Sequence, residues 1–127
     1  MINDFLIINC TGQNNKIGLK INNNFYTHDF SSQIRNNETL VLSILNLTKK
    51  YKAIINKDFS VLINRGPGSF SSIRVSLAVA KGIVISKGAM LFGFKNSNLP
   101  QFNLANIEVL IAKNLLEKKL IKPLYLS

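Results

Sequence analysis

The sequence predicts an α/β domain built on a mixed five-stranded sheet with helices on its faces. The first part of the chain alternates apolar and polar residues between turn-prone asparagines, which is the spacing of short antiparallel strands. The rest alternates short apolar runs with longer segments of helical spacing, an order that favours parallel strands joined by helical crossovers. With 127 residues, of which 46% are hydrophobic, the chain is long enough to bury a core, and we expect one domain over residues 1–127.

The predicted sheet begins with a three-stranded meander. The opening segment DFLIINCTG is a short apolar run that turn residues stop, and KIGLKI and NNFYTHDF then alternate around Asn22, Asn23 and Asn24. Strands this close together in sequence pair as antiparallel hairpins. They are expected to form one edge of the sheet.

Helical and strand signals alternate in the rest of the chain. Residues 38–51 carry apolar side chains at helical spacing, with Asn36 or Asn37 available as the cap. The run DFSVLIN predicts a strand, residues 71–86 a second helix, AMLFGF a fifth strand and residues 105–119 a third helix. The resulting order, βββαβαβα, is the topology of a ribonuclease H-like domain, which is also one half of an actin-like ATPase.

The charge balance is strongly basic, with 16 Lys and Arg against 6 Asp and Glu and a net charge of +10. Such a charge attracts nucleic acids and anionic surfaces over long range. The excess is nearly all lysine, scattered and accompanied by abundant Asn and Ile, as AT-rich coding sequence would also produce. Few arginines and no tryptophan argue against reading of bases. A basic stand-alone domain that binds nucleic acid through its phosphates stays open as one function.

Cysteine usage and hydropathy favour a cytoplasmic protein. Cys10 is the only cysteine, which excludes an internal disulfide and suits a reducing compartment. No secretory signal opens the chain, and Arg74, Lys81 and Lys87 interrupt the most apolar stretch, residues 73–94. We therefore expect no membrane span.

The acidic residues and the single histidine argue against an enzyme. The predicted first strand ends in Asn9, where an actin-like ATPase or a nuclease needs a carboxylate to hold Mg²⁺. The six acidic residues form no matching set, and His28 alone cannot make a two-histidine zinc site. Cys10 has no evident base near it in the sequence. We expect no catalytic residue, metal or cofactor, and a degenerate nuclease or phosphoryl-transfer domain is the enzymatic rival.

A glycine-rich turn, NRGPGSF at residues 64–70, separates a predicted strand from a predicted helix. Its glycines permit a sharp reversal, its proline fixes a bend and Ser69 can cap the following helix. A loop of this kind aims backbone amides and a helix amino terminus at one point, where a phosphate could bind. A purely structural turn also explains these residues, because the ending of a P-loop is missing.

The longer segment NRGPGSFSSIRVSLAVAKGI, residues 64–83, resembles the signature of the TsaB (YeaZ) family. Further segments agree with the family pattern, namely NNETLVLSI, IINCTG, FGFKNSNL and the closing KPLYLS at Pro123, Tyr125 and Leu126. The signature positions that match are Gly66, Pro67, Gly68, Ser69, Phe70, Arg74, Ala78, Ala80, Lys81 and Gly82.

The resemblance implies a non-catalytic subunit that supports threonylcarbamoylation of tRNA. The implied partner is the catalytic TsaD-type subunit, with a TsaE-type ATPase as a further candidate, and contact with tRNA would run through the complex. Family members carry a second domain between the positions of Leu99 and Ile107, where this chain has a few connecting residues. The pattern resembles an internal deletion that keeps the family's final helix and tail. Functions of that second domain are therefore not expected here.

The first two predicted helices carry more apolar surface than one sheet contact needs. On a helical wheel the apolar residues of each helix span about 220°. A helix that lies on a sheet needs an apolar stripe of only about 100°. Either the helices cover each other beneath the final helix, or they form a protein interface. The resemblance favours the interface, since TsaB proteins are thought to pair with TsaD through these helices. A homodimer through the same surface would replace the partner when the chain is alone.

Two groups of candidate site residues follow. The first shapes the glycine-rich loop and contacts acidic groups or an anion at the edge of the interface: Gly66, Pro67, Gly68, Ser69, Arg74 and Lys81. The second forms the apolar part of the partner interface: Leu42, Leu45, Val75, Ala78, Val79 and Gly82.

Overall fold

A computed structural model describes residues 2–30, 37–118 and 121–124 of the chain. A short 3-10 helix, Asn96–Asn98, precedes the last helix. Within the described ranges the strands and helices follow the predicted order: β1 (Phe5–Asn9), β2 (Lys16–Ile21), β3 (Asn24–Asp29), α1 (Asn37–Lys50), β4 (Ser60–Asn64), α2 (Phe70–Lys87), β5 (Met90–Phe94) and α3 (Leu104–Ala112).

The five strands form one mixed sheet in the order β3-β2-β1-β4-β5. Strands β1, β2 and β3 pair antiparallel as a meander, whereas β1, β4 and β5 pair parallel. Ile7 of β1 lies opposite Leu62 of β4, so the carboxyl ends of these two strands meet at the same edge of the sheet. The predicted mixed sheet with an antiparallel edge is confirmed.

The central strands are buried on both faces, which is why they consist of continuous apolar runs. In β1, Leu6 and Ile8 pack into the core beneath α1 and α2, whereas Phe5 and Ile7 pack into a second core beneath α3. All four side chains are fully buried. The sheet is therefore the middle layer between α1 and α2 on one face and α3 on the other.

Helices α1 and α2 pack against each other as well as against the sheet. The carboxyl end of α1 is fixed to the meander, because the ring of Tyr51 stacks on that of Tyr26 at 3.5 Å between centroids. The side chains that face inward are Leu40, Ile44 and Leu47 from α1 and Ile73, Val75, Leu77, Val79 and Ala80 from α2.

Helix α3 is shorter than predicted, since it ends at Ala112 and not near Lys119, which lies outside the described residues. Asn114 has a φ of 57°, in the left-handed region where asparagine often terminates a helix. Beyond it, Glu117 exchanges two backbone hydrogen bonds of 2.7 Å with Gly93 of β5. The segment that follows the helix therefore pairs with β5 at the edge of the sheet.

Candidate docking surface on helices α1 and α2

The loop between β4 and α2 approaches two other segments so closely that only glycine fits. Gly66 has a φ of 103°, and a Cβ atom there would collide with the backbone oxygen of Leu124 in the tail. A Cβ atom on Gly68 would collide with the backbone oxygen of Thr11, just after β1. Both glycines of the motif are therefore explained by contacts within the chain.

The backbone amides of this loop are used internally. Ser69 caps α2 as predicted, because its Oγ accepts a hydrogen bond from the Ser72 amide at 3.4 Å. Three loop amides already have acceptors within the chain, which favours the structural turn over an anion site at these amides: Gly66 donates to Asn64 Oδ1 at 3.0 Å, Gly68 to the Leu124 oxygen at 3.2 Å and Ser69 to the Thr11 oxygen at 2.8 Å. The loop thus positions the start of α2 between β1 and the tail.

Helix α2 presents one exposed stripe along its length. Arg74 and Lys81, the two predicted cations, lie seven residues apart and so on the same side of the helix. The Arg74 guanidinium lies over the ring of Phe70, 5.2 Å from its centroid. The stripe consists of Arg74, Ala78, Lys81, Gly82 and Ile85, of which Ile85 is 83% exposed.

Helix α1 adds large apolar side chains beside that stripe. Leu42 is 50% exposed, Leu45 is 55% exposed and Val41 is 36% exposed. An open groove of about 340 Å³ runs between the two helices, with Val41 and Leu45 on one wall and Ala78 and Gly82 on the other. The surface that we call the docking surface comprises Val41, Leu42, Leu45, Ala78, Gly82 and Ile85.

Two of the predicted interface residues belong to the core. Val75 and Val79 are each 5% exposed and pack with the residues beneath α1 and α2. They lie on the inward side of α2, so they support the docking surface from below. Val41 and Ile85 were absent from the predicted set, because a helix that is apolar over most of its circumference does not reveal which side meets the sheet.

Gly82 differs from the sheet glycines in having open space around it. Apart from the adjacent residues and the backbone of its own helix, a Cβ atom on Gly82 would meet no atom of the described chain within 4 Å. By contrast, a Cβ on Gly18 would lie 2.6 Å from the ring of Phe25, and one on Gly93 would lie 2.7 Å from Ile121. No contact within the described residues therefore requires a glycine at position 82.

A polar cavity of about 770 Å³ lies at the carboxyl edge of the parallel strands, and Asn9 and Asn96 line it. Asn64 is fully buried beside them and donates from Nδ2 to Asn9 Oδ1 at 2.6 Å and to Asn96 Oδ1 at 2.9 Å. Amides thus stand where a metal-dependent enzyme would place carboxylates. Asn64 and Asn96 were missed in the sequence, although their positions at the ends of parallel strands could have indicated them.

The side chains that could act as a nucleophile or as metal ligands are either buried or not grouped together among the described residues. Burial raises the pKa of the Cys10 thiol to about 12, so the thiolate that a nucleophile needs is not formed near neutral pH. Among residues 2–30, 37–118 and 121–124, no three His, Cys, Asp or Glu side chains come together as a metal-binding group. In the same part of the chain, no helix is long and apolar enough to cross a lipid bilayer.

Comparison with known proteins finds similarity both in sequence and in structure. No family model matches the chain. The curated tRNA threonylcarbamoyladenosine biosynthesis protein TsaB of Buchnera aphidicola subsp. Baizongia pistaciae (strain Bp) is 40% identical over 58 residues, which cover 44% of this chain and 26% of that protein.

Two solved structures share the fold. YeaZ from Pseudomonas aeruginosa superposes with a TM-score of 0.69 at 13% identity, over 77% of this chain and 46% of that one. A structure described as an uncharacterized protein with similarity to peptidase YEAZ, also from Pseudomonas aeruginosa, gives 0.68 at 13% identity, over 77% of this chain and 45% of that one. The match therefore spans less than half of each solved relative, and the fold is ribonuclease H-like.

Proposed function

We propose, from the premise that the chain is a TsaB/YeaZ-like protein, that it is a non-catalytic subunit supporting the formation of threonylcarbamoyladenosine (t6A) in tRNA. It would do so by binding a TsaD-type catalytic subunit through the docking surface. The sequence relative is named as a biosynthesis protein for this modification, and the shared fold extends over most of the chain. A TsaE-type ATPase is a second protein partner that this assembly would accommodate, and a role beside tRNA would place the subunit in the cytoplasm.

The observation that carries the proposal is the open, apolar character of the docking surface. Leu42, Leu45 and Ile85 each expose half or more of their surface to solvent on adjoining helices. Apolar residues gathered in this way on one face commonly mark a protein interface, because water contact with them is unfavourable. A second polypeptide that packs there would remove this surface from water.

Gly82 supports the same conclusion from backbone energetics. Glycine inside a helix costs about 1 kcal/mol relative to alanine. Nothing within the described chain needs that position to be small. A partner helix that approaches closely over Ala78 and Gly82 would need it, since small residues let two helix backbones come near each other.

The polar cavity supports the non-catalytic part of the proposal. Asn9, Asn64 and Asn96 supply amides and no negative charge, and the Asn64 amide nitrogen is occupied by the other two side chains. A magnesium-dependent phosphoryl transfer needs anionic oxygen ligands at this edge of the sheet. The subunit would therefore contribute helices to the complex, and residues 1–127 would act as one domain.

The test is capture of the TsaD-type subunit encoded in the same genome, co-expressed with the full chain. Ala78→Trp and Gly82→Trp are expected to abolish capture, because the indole would fill the approach between the helices. Ala105→Trp, at an exposed position of α3, is the matched control and should leave capture intact. Circular dichroism confirms that each variant is folded. Equal capture by the wild-type chain and both docking variants would refute the proposal.

A further inference from the structure

The hydrogen bonds at the carboxyl edge of the parallel strands all run in one direction. The Gly66 amide donates to Asn64 Oδ1, and the two hydrogens of Asn64 Nδ2 go to Asn9 Oδ1 and Asn96 Oδ1. The side-chain oxygens of Asn9 and Asn96 are therefore turned toward Asn64, and their own Nδ2 groups are turned away from it. Within the described part of the chain, neither of these two Nδ2 groups donates to an acceptor. Both remain available to a ligand.

The polar cavity that Asn9 and Asn96 line is also positively charged. Its volume of about 770 Å³ is within the range of small-molecule sites, about 300–1,000 Å³. The described residues that line it include one cation, Lys16, and no carboxylate. Lys16 Nζ lies 4.0 Å from a carboxylate oxygen of Asp29, whose side chain is 68% exposed, so this loose pair leaves the lysine charge available.

Helix α3 begins at the wall of the same cavity. Asn103, which lines the cavity, caps the helix, because its Oδ1 accepts a hydrogen bond from the Asn106 amide at 2.8 Å. The first turn of α3 contains no acidic residue, so the positive end of the helix dipole is not neutralised there. Pro100 and Phe102 line the cavity beside it and add apolar surface.

We infer that this cavity binds a small organic anion through phosphate or carboxylate oxygens, without a divalent metal ion. The anionic oxygens accept hydrogen bonds from the Nδ2 groups of Asn9 and Asn96 and pair with Lys16. The apolar part of the ligand packs on Phe102. A bridging metal ion would need anionic oxygen ligands, which the described lining does not supply. The cavity shares no lining residue with the groove between α1 and α2, so the inference is independent of the proposed function.

The experiment titrates the full chain, labelled with ¹⁵N, with phenyl phosphate, benzoate and the uncharged benzyl alcohol at one ionic strength. Side-chain amide resonances of Asn9 and Asn96 report binding. In Asn96→Asp, the carboxylate still accepts from Asn64 but no longer donates to the anion. Asn56→Asp is the matched control, because Asn56 lies before β4, at the opposite edge of the sheet, and its Oδ1 also accepts one hydrogen bond, from the Asp58 amide at 2.9 Å.

A second pair of variants tests the cation without changing the asparagines. Lys16→Gln removes the positive charge from the cavity, and Lys57→Gln removes one at an exposed position outside it. The amide spectra of all four variants show whether each is folded. Titrations of the wild type with and without Mg²⁺ test whether the anion binds unaided.

We expect at least one of the two anions to shift the Asn9 and Asn96 amide resonances, with or without Mg²⁺, and benzyl alcohol to leave them unchanged. The anion that binds identifies the ligand as a phosphate, a carboxylate or either. Asn96→Asp should weaken binding at least about tenfold, because a charge-assisted hydrogen bond is replaced by repulsion. Lys16→Gln should weaken it several-fold, whereas both control variants should bind like the wild type.

Four results would overturn the inference: no response to either anion, an equal response to benzyl alcohol, a requirement for Mg²⁺, or equal binding by Asn96→Asp and Asn56→Asp. The last result would mean that the anions are attracted by the net charge of +10 and not by the cavity. Capture of the TsaD-type subunit is measured separately, so failure here leaves the proposed function standing.

Discussion

The Asn64 side chain donates a hydrogen bond of 2.6 Å to the Asn9 side-chain oxygen, across the carboxyl ends of two adjacent parallel strands. The orientation of the Asn64 amide is fixed, because its Oδ1 accepts a hydrogen bond from the Gly66 backbone amide. Its Nδ2 therefore faces oxygen atoms of both Asn9 and Asn96. This bonding requires an amide at position 64 and would be broken by a carboxylate.

Asn64→Asp is expected to destabilise the fold by about 2–4 kcal/mol at neutral pH. A buried carboxylate would face two acceptor oxygens without the donor hydrogens that now bind them. Burial among acceptor oxygens would also raise the pKa of the new aspartate, so part of the loss should be recovered as the pH falls and the group is protonated. Urea unfolding at neutral and mildly acidic pH measures both effects. Asn23→Asp, in an exposed turn, is the control and should change stability by less than about 0.5 kcal/mol.

Gly82→Ala is expected to stabilise the isolated chain by about 0.5–1 kcal/mol, because alanine restricts the unfolded backbone and its Cβ meets no neighbour. Gly93→Ala should destabilise it, since its Cβ would lie 2.7 Å from Ile121. Thermal unfolding of the two variants provides the measurement. A lower melting temperature for Gly82→Ala would mean that the space above this residue is not open.

Arg65→Lys is expected to loosen the tail and to cost about 1–2 kcal/mol. The Arg65 guanidinium binds both carboxylate oxygens of Glu117, at 2.9 and 3.1 Å, and donates to the backbone oxygen of Lys122 at 3.1 Å. A lysine cannot reproduce this forked geometry. Urea unfolding and limited proteolysis of the carboxyl-terminal segment report the change.

The more exposed ion pair between Lys16 and Asp29 serves as the comparison for Arg65. Its atoms are 4.0 Å apart and its side chains are 34% and 68% exposed. Asp29→Asn should therefore alter stability by less than about 0.5 kcal/mol. If both substitutions had equally small effects, the Arg65 contact would not be holding the tail.

The buried thiol of Cys10 is expected to make stability depend on alkaline pH. Burial raises its pKa from 9.0 to about 12, so between these values the unfolded chain loses a proton that the folded chain keeps. The contribution of the protonated thiol to the stability of the fold is therefore fully present below pH 9 and is lost as the pH rises toward 12. Denaturant unfolding of the wild type and of Cys10→Ala separates this effect from other titrating groups, because the variant lacks it. A thiol reagent should likewise react only with unfolded chain, and rapid labelling of the native protein would contradict the assignment.

The arrangement of the sheet follows from local patterns in the sequence, and the structure confirms it. The continuous apolar runs of β1 and β4 are typical of strands buried on both faces. Helix α1 was predicted within one residue of its observed limits, Asn37–Lys50, because its apolar residues repeat at helical spacing. The cap proposed at Asn36 lies outside the described residues. Tyr125 and Leu126, in the tail that resembles the family pattern, also lie outside them.

Features that depend on distant segments could not be predicted in this way. The end of α3 is set partly by the pairing of Glu117 with Gly93, which are far apart in sequence. The acceptors of the Gly68 and Ser69 amides are the backbone oxygens of Leu124 and Thr11, and no local motif places those residues beside the loop. The inward position of Val79 was hidden by the apolar residues around it, since α2 has no clearly polar side.

The contact between the tail and the loop has a consequence for the timing of assembly. The Leu124 backbone accepts from Gly68 and donates to Arg65, so the turn that leads into α2 is completed by a segment that is synthesised well after the turn itself. A nascent chain that still lacks this segment has no partner for those groups. We therefore expect a partner protein to prefer chains in which this segment has emerged over nascent chains that still lack it.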